Sequence, residues 1–242
     1  MDNRAETATD RWFKETATMM DGGNLPDTSV NNLLSSVIPL THNYCKAAFL
    51  LANHGHRLPA MAILRVLGEL ALRVTWCMYE DNERRESAED RIMRWMKITY
   101  IEEVRRLKKL LPLYSDERAQ EIRNMTTVLE SKIESIQQSD TGRFYTSMNE
   151  LPKPYREKIH PLLYGSFNCA IHPDLRLFGA LTRLKGNTRM FLSDLDVTVE
   201  TLRIYCMTAA FNILAITRVH YKWDYEGMKV EYLGLKKELA GE

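Results

Sequence analysis

The segment 60–79 (AMAILRVLGELALRVTWCMY) is apolar in almost every direction around a helix axis, and no other stretch constrains the fold as strongly. Its polar exception is one narrow stripe: Arg65, Glu69, Arg73 and, three residues on, Trp76. At about 100° per residue these four fall within roughly 80° of arc and share a face. A helix with so little polar surface belongs in the middle of a bundle, covered by other helices. Its charges must then be paired, because an isolated buried charge costs several kcal/mol. Glu69 stands four residues from each arginine and can balance one of them. The other needs a second anion, either a protein carboxylate such as Glu102 or Asp174 or the acidic group of a ligand.

The rest of the chain supplies the covering helices. An amphipathic but weakly specified segment lies within residues 1–27, and the turn-rich DGGNLPDTS (21–29) follows it, with Asp27 or Thr28 placed to cap the next helix. That helix is expected over 30–53, kinked or broken at Pro39 and stopped by Gly55. Pro59 suits the first turn of the striped helix. Ser87 and Asp90 have capping-box spacing for a helix over 88–111 that ends at Pro112. Ser115 opens another, to about 138, whose apolar residues Ile122, Met125, Leu129, Ile133 and Ile136 make a single narrow stripe. The two read together as a helical hairpin or arm, 88–138, projecting from the bundle. Further helices are expected over 158–171, 173–184 and 198–221, with a turn at Gly186-Asn187, a short extended stretch over 190–197 and a charged helix at the C-terminal end. The fold class is all-α, and the chain reads as one helical domain, 1–242.

Composition narrows the function less than the pattern does. A net charge of +1 across 242 residues gives no global pull toward nucleic acid or an anionic surface, so any such binding needs a local patch. Cys45, Cys77, Cys169 and Cys206 are far apart, lie in apolar helical contexts and follow no secretory leader, which leads us to expect a reducing, cytoplasmic setting. No uncharged apolar run reaches the ~20 residues of a membrane span, and no membrane partner is expected. A GxxxxGK[ST] loop, HExxH and a nucleophile elbow are all absent, which excludes P-loop nucleotide hydrolysis. His54 and His56 at i, i+2 lack acidic or thiol neighbours, so neither a metal site nor a cofactor is expected. Arg105, Arg106, Lys108 and Lys109 follow Glu102-Glu103 and read as a solvated face with some capacity for RNA contact.

A second stretch carries possible chemistry. In Tyr164-Gly-Ser-Phe-Asn-Cys-Ala-Ile-His172, followed by Pro173-Asp174, helical spacing puts Tyr164, Asn168 and His172 on one face. Pro173 sets His172 at a helix junction, where an imidazole can act as acid, base or anion partner, or simply pack. Together, His54-Gly-His, Ala62-Ile-Leu-Arg65-Val-Leu-Gly-Glu69 with Trp76, and Tyr164…His172-Pro resemble an uncharacterised bacterial helical family associated with the HEPN (higher eukaryote and prokaryote nucleotide-binding) superfamily. The resemblance implies a helical bundle that forms a homodimer. It further implies binding of RNA or a phosphate-bearing nucleotide, and in catalytic members a metal-independent ribonuclease of toxin or phage-defence systems.

Catalytic members carry an arginine separated from the histidine by four to six intervening residues. Here Phe167, Ser166 and Gly165 fill those places before His172, so the cation would have to come from Arg65 or Arg73 in space. On this reading His172, Arg65 and Glu69 are the catalytic candidates, and Arg73, Tyr164, Asn168 and Trp76 bind the ligand. The alternative is a non-enzymatic helical interaction protein in which both clusters are internal struts.

Overall fold

The computed structural model describes residues 3–79, 87–136, 182–185, 188–191 and 197–241. The helix expected over 158–171, with Tyr164, Asn168, His172 and Asp174, lies outside the described residues. Those described form an all-α bundle of α1 (Arg4–Gly22), α2 (Ser29–Asn53), α3 (Arg57–Met78), α4 (Ala88–Leu110), α5 (Asp116–Ser135), α6 (Val199–His220) and α7 (Glu226–Ala240). One antiparallel pair accompanies it, β1 (Thr182–Lys185) and β2 (Thr188–Phe191), with Lys185 opposite Thr188. The expected helix over 173–184 is therefore wrong at its end. Two residues separate the strands, Gly186 and Asn187, and this spacing is typical of hairpins.

The striped segment is central, as its composition requires. α3 packs against α2 and α6, and α6 also carries α1 and α7 on its other sides. Leu64, Leu67, Val74 and Trp76 of α3 share one core with Leu34 and Phe49 of α2 and Met207, Ala210 and Ile213 of α6. α6 is long and apolar enough, by length and composition alone, to cross a membrane. In this fold those apolar residues face four other helices, which is the ordinary reason for a bundle's middle helix to be apolar.

Local chemistry sets most helix ends. Thr28 Oγ1 accepts from the Asn31 amide at 3.2 Å to start α2, and Ser87 with Asp90 forms a reciprocal capping box on α4. α2 stops in a Schellman turn, where Gly55 takes φ 79° while the Gly55 and His56 amides donate to Ala52 and Leu51 carbonyls. Pro39, however, does not break α2. It lies on the exposed side with Ser35, whose carbonyl loses its usual i+4 donor there, while Val37, Ile38 and Thr41 hold the opposite side in the bundle.

The N-terminal segment is a full helix of 19 residues, with Trp12 and Phe13 each 1% exposed in the core. It is thus more firmly specified than its sequence suggested. The arm is present: α4 joins the core through Ile92, and further along Ile98, Val104 and Leu107 are buried where α4 and α5 run together. On α5 the buried stripe is Ala119, Ile122 and Thr126, continued by Ile136 at its C-cap, with Leu129 and Ile133 half-buried. Met125 belongs to the exposed side instead, at 52% exposure.

Candidate functional site

The stripe on α3 folds into a shared-carboxylate clamp. Arg65 Nη1 donates to Glu69 Oε2 at 2.9 Å, and Arg73 Nη2 donates to Glu69 Oε1. Four-residue spacing brings all three side chains to one helix face, which makes this network local and legible from sequence. Glu69 meets both arginines, where one alone was expected. Glu102 plays no part in the clamp, because it lies exposed on the arm. Burial pushes the Glu69 carboxyl upward, but the two guanidinium groups outweigh it and hold the pKa below its ordinary 4.5. The clamp is graded in depth: the Arg65 side chain is 5% exposed, Glu69 29% and Arg73 25%, so its outer end reaches solvent.

α4 supplies a second row that the sequence reading missed. The Arg73 guanidinium carbon lies 5.6 Å from the ring centre of Trp95, and that of Arg94 lies 4.7 Å from the ring centre of Trp76. Each contact pairs a cation from one helix with a tryptophan ring of the other, a cation–π attraction across the α3/α4 interface. Trp76 is fully buried, so it is core and stacking wall at once. Arg65, Arg73, Trp76, Arg94 and Trp95 all make further interactions besides these. A signal for the second row existed in DRIMRW, where Arg91 and Arg94 recur at helical spacing beside Ile92 and Trp95 rather than on the polar side.

Arg91 and Glu89 explain why α4 sits where it does. Arg91 is 1% exposed; its Nε donates to the Cys77 carbonyl at 2.9 Å and its Nη2 to the Tyr79 carbonyl at 3.0 Å, placing a cation on the C-terminal carbonyls of α3. The Glu89 carboxylate accepts from the Ser29 and Val30 amides at 3.0 and 3.3 Å, placing an anion on the N-terminus of α2. One turn of α4 therefore binds two helix ends with the two appropriate charges.

The remaining candidates are ordinary. His54 Nδ1 turns back to the Leu50 carbonyl at 2.8 Å. Among the described residues no three His, Cys, Asp or Glu side chains are grouped to hold a metal ion. Arg106 pairs with Glu103 on its own helix, and Lys108 reaches Glu130 across the arm at 2.7 Å, in keeping with a solvated face. Tyr164, Asn168 and His172 lie outside the described residues.

Glu69→Gln tests the clamp itself. Two guanidiniums lose their shared carboxylate, and we expect a cost of about 1–2 kcal/mol near neutral pH. Because the folded-state pKa of Glu69 is lowered, its contribution is complete above the unfolded value and declines as pH falls through the folded one. The stability gap between wild type and E69Q should be widest above about pH 5 and narrow toward pH 3. Urea titrations at a series of pH values measure it, and a gap that widens on acidification would contradict the assignment.

No curated protein and no solved structure matches the chain. A family model does match it over residues 31–188, the span that includes the clamp, both arginine–tryptophan stacks and the arm, and shows no link to the HEPN superfamily. The chain belongs to that family, DUF5677, a family of unknown function.

Proposed function

We propose that the α3/α4 face binds a phosphate-bearing ligand, RNA or a nucleotide, in an HEPN-like helical module. The observation that carries this reading is the pair of arginine–tryptophan stacks, Arg73 on Trp95 and Arg94 on Trp76, beside a clamp whose outer arginine is a quarter exposed. An arginine engaged by an aromatic ring has less freedom to lose on binding, and its planar donor fork matches phosphate oxygens in a bidentate way. Glu69 accepts from one edge of Arg73 at the outer end of the clamp, where the Arg73 side chain is a quarter exposed.

In the catalytic form of this reading His172 transfers protons while Arg65 or Arg73 stabilises charge on the phosphate, and Tyr164 and Asn168 bind the ligand. Glu69 would then act as a positioning residue for both arginines. The protein would work as a homodimer in the cytoplasm, with a role in toxin or phage defence.

The test is binding of a fluorescent single-stranded RNA and of ATP by wild type, Arg73→Gln and His172→Ala. Arg73→Gln should weaken both at least tenfold with a melting temperature within about 3 °C of wild type, because its side chain lies at the outer end of the clamp. His172→Ala should stop cleavage of the RNA while binding persists. Unchanged affinity in R73Q would remove the reading. A second reading has its own support: Glu69 meets both arginines, as it would in an internal strut of a non-enzymatic interaction protein. That reading predicts that R73Q and E69Q alter stability alone.

A further inference from the structure

Beside the clamp, α2 and α4 enclose a groove of about 360 Å³, lined by Ser29, Asn32 and Leu33 of α2 and by Ile92, Trp95, Met96, Thr99 and Tyr100 of α4. The size falls within the range of small-ligand sites, about 300–1,000 Å³. Its walls are apolar and aromatic, and two features of its surroundings select an occupant.

The first is charge placed at one side. Trp95 lines the groove and also carries the Arg73 guanidinium, 5.6 Å from its ring centre, so the groove and the clamp share one indole. At Tyr100 a second cation, Lys132 Nζ, lies 5.6 Å from the ring centre. The Ser29 end is the opposite: the Glu89 carboxylate already occupies the Ser29 and Val30 amides. An anionic group is repelled there and attracted toward Arg73.

The second feature is the hydrogen-bonding state of the rim. The Thr99 hydroxyl donates to the Trp95 carbonyl at 2.9 Å, and that of Ser29 is directed at Met93 Sδ at 3.5 Å. One N–H of the Asn32 amide donates to Asp27 at 2.8 Å, which leaves its carbonyl oxygen as an acceptor beside one remaining N–H. The rim therefore offers mainly lone pairs, which suit a ligand edge bearing an N–H₂ donor.

We infer that this groove receives the base of a nucleoside phosphate, stacked along Trp95 and Tyr100, with the phosphates drawn to Arg73 and with amino-bearing bases preferred over uracil. This deepens the phosphate-binding reading and rests on it. Stacking supplies affinity for any base, and the acceptor rim supplies the preference.

The experiment is calorimetric titration of the full chain with ATP, UTP and tripolyphosphate, which carries the same charge pattern without a base. Wild type should bind ATP at least tenfold more tightly than tripolyphosphate and severalfold more tightly than UTP. Thr99→Trp, a change at an exposed rim position, should fill the groove and bring ATP down to the tripolyphosphate level. Asn32→Leu should reduce the preference for ATP over UTP with its unfolding midpoint within about 2 °C of wild type. Equal binding of ATP and tripolyphosphate by wild type would overturn the groove assignment and leave the phosphate site standing. Binding of neither would overturn the phosphate site, and the groove assignment with it.

Discussion

Replacing Arg91 with methionine should cost about 3 kcal/mol of folding stability, the range for removing one partner of a buried charged network. At 242 residues this is a drop of roughly 6–12 °C in melting temperature. Methionine keeps the side chain's length and apolar stem, so little packing is lost. What disappears is the guanidinium that serves the Cys77 and Tyr79 carbonyls, the first in a buried residue and the second in a half-buried one. An unmet buried carbonyl costs about 1–3 kcal/mol, and two are exposed to that loss here. Arg91→Lys should recover about half, because an ammonium can reach one carbonyl but lacks the fork that spans both. Thermal unfolding followed by circular dichroism measures the series. A methionine variant within 2 °C of wild type would show that α4 docks on α3 by apolar contact alone.

The same residue shows where sequence reading stops. Ends that depend on a side chain three or four positions away were legible: Thr28 on Asn31, Ser87 on Asp90, and Gly55 in the left-handed turn. The Arg65–Glu69–Arg73 clamp was legible for the same reason, since a helix face is a local property. Arg91 serves carbonyls 12 and 14 residues earlier, and the Trp76–Arg94 and Trp95–Arg73 stacks join two helices. No periodicity in one helix encodes which face of another will meet it. Of the two outcomes expected at Pro39, a kink or a break, the break does not occur: α2 runs through it, and burial of Val37, Ile38 and Thr41 against other helices outweighs the one missing hydrogen bond. The function rests on still less sequence signal, because arginines paired within a bundle and arginines fixed for phosphate look alike in one chain.

The N-terminal helix gives the second large effect. Its segment carries few apolar residues, and its role becomes visible only with α6 and α7 beside it. Trp12 is 1% exposed, and its indole N–H donates to Glu231 of α7 at 2.8 Å, where Arg11 also binds the same carboxylate. Arg218 of α6 reaches the same turn of α1, donating to Thr16 Oγ1 at 3.0 Å and to Glu15 at 3.1 Å. Truncation of Trp12 to alanine removes one of the largest buried side chains and should cost about 3–5 kcal/mol. The melting temperature should fall by roughly 6–20 °C. Trp12→Phe separates the two contributions: it retains most of the apolar volume but gives up the hydrogen bond to Glu231, and should cost about 1–2 kcal/mol. If the segment were a loosely attached extension, both variants would melt with wild type. A graded loss, alanine well below phenylalanine, is the result that makes α1 part of the core. It would also mean that the bundle supporting the α3/α4 face begins at residue 4, well before the family match at residue 31.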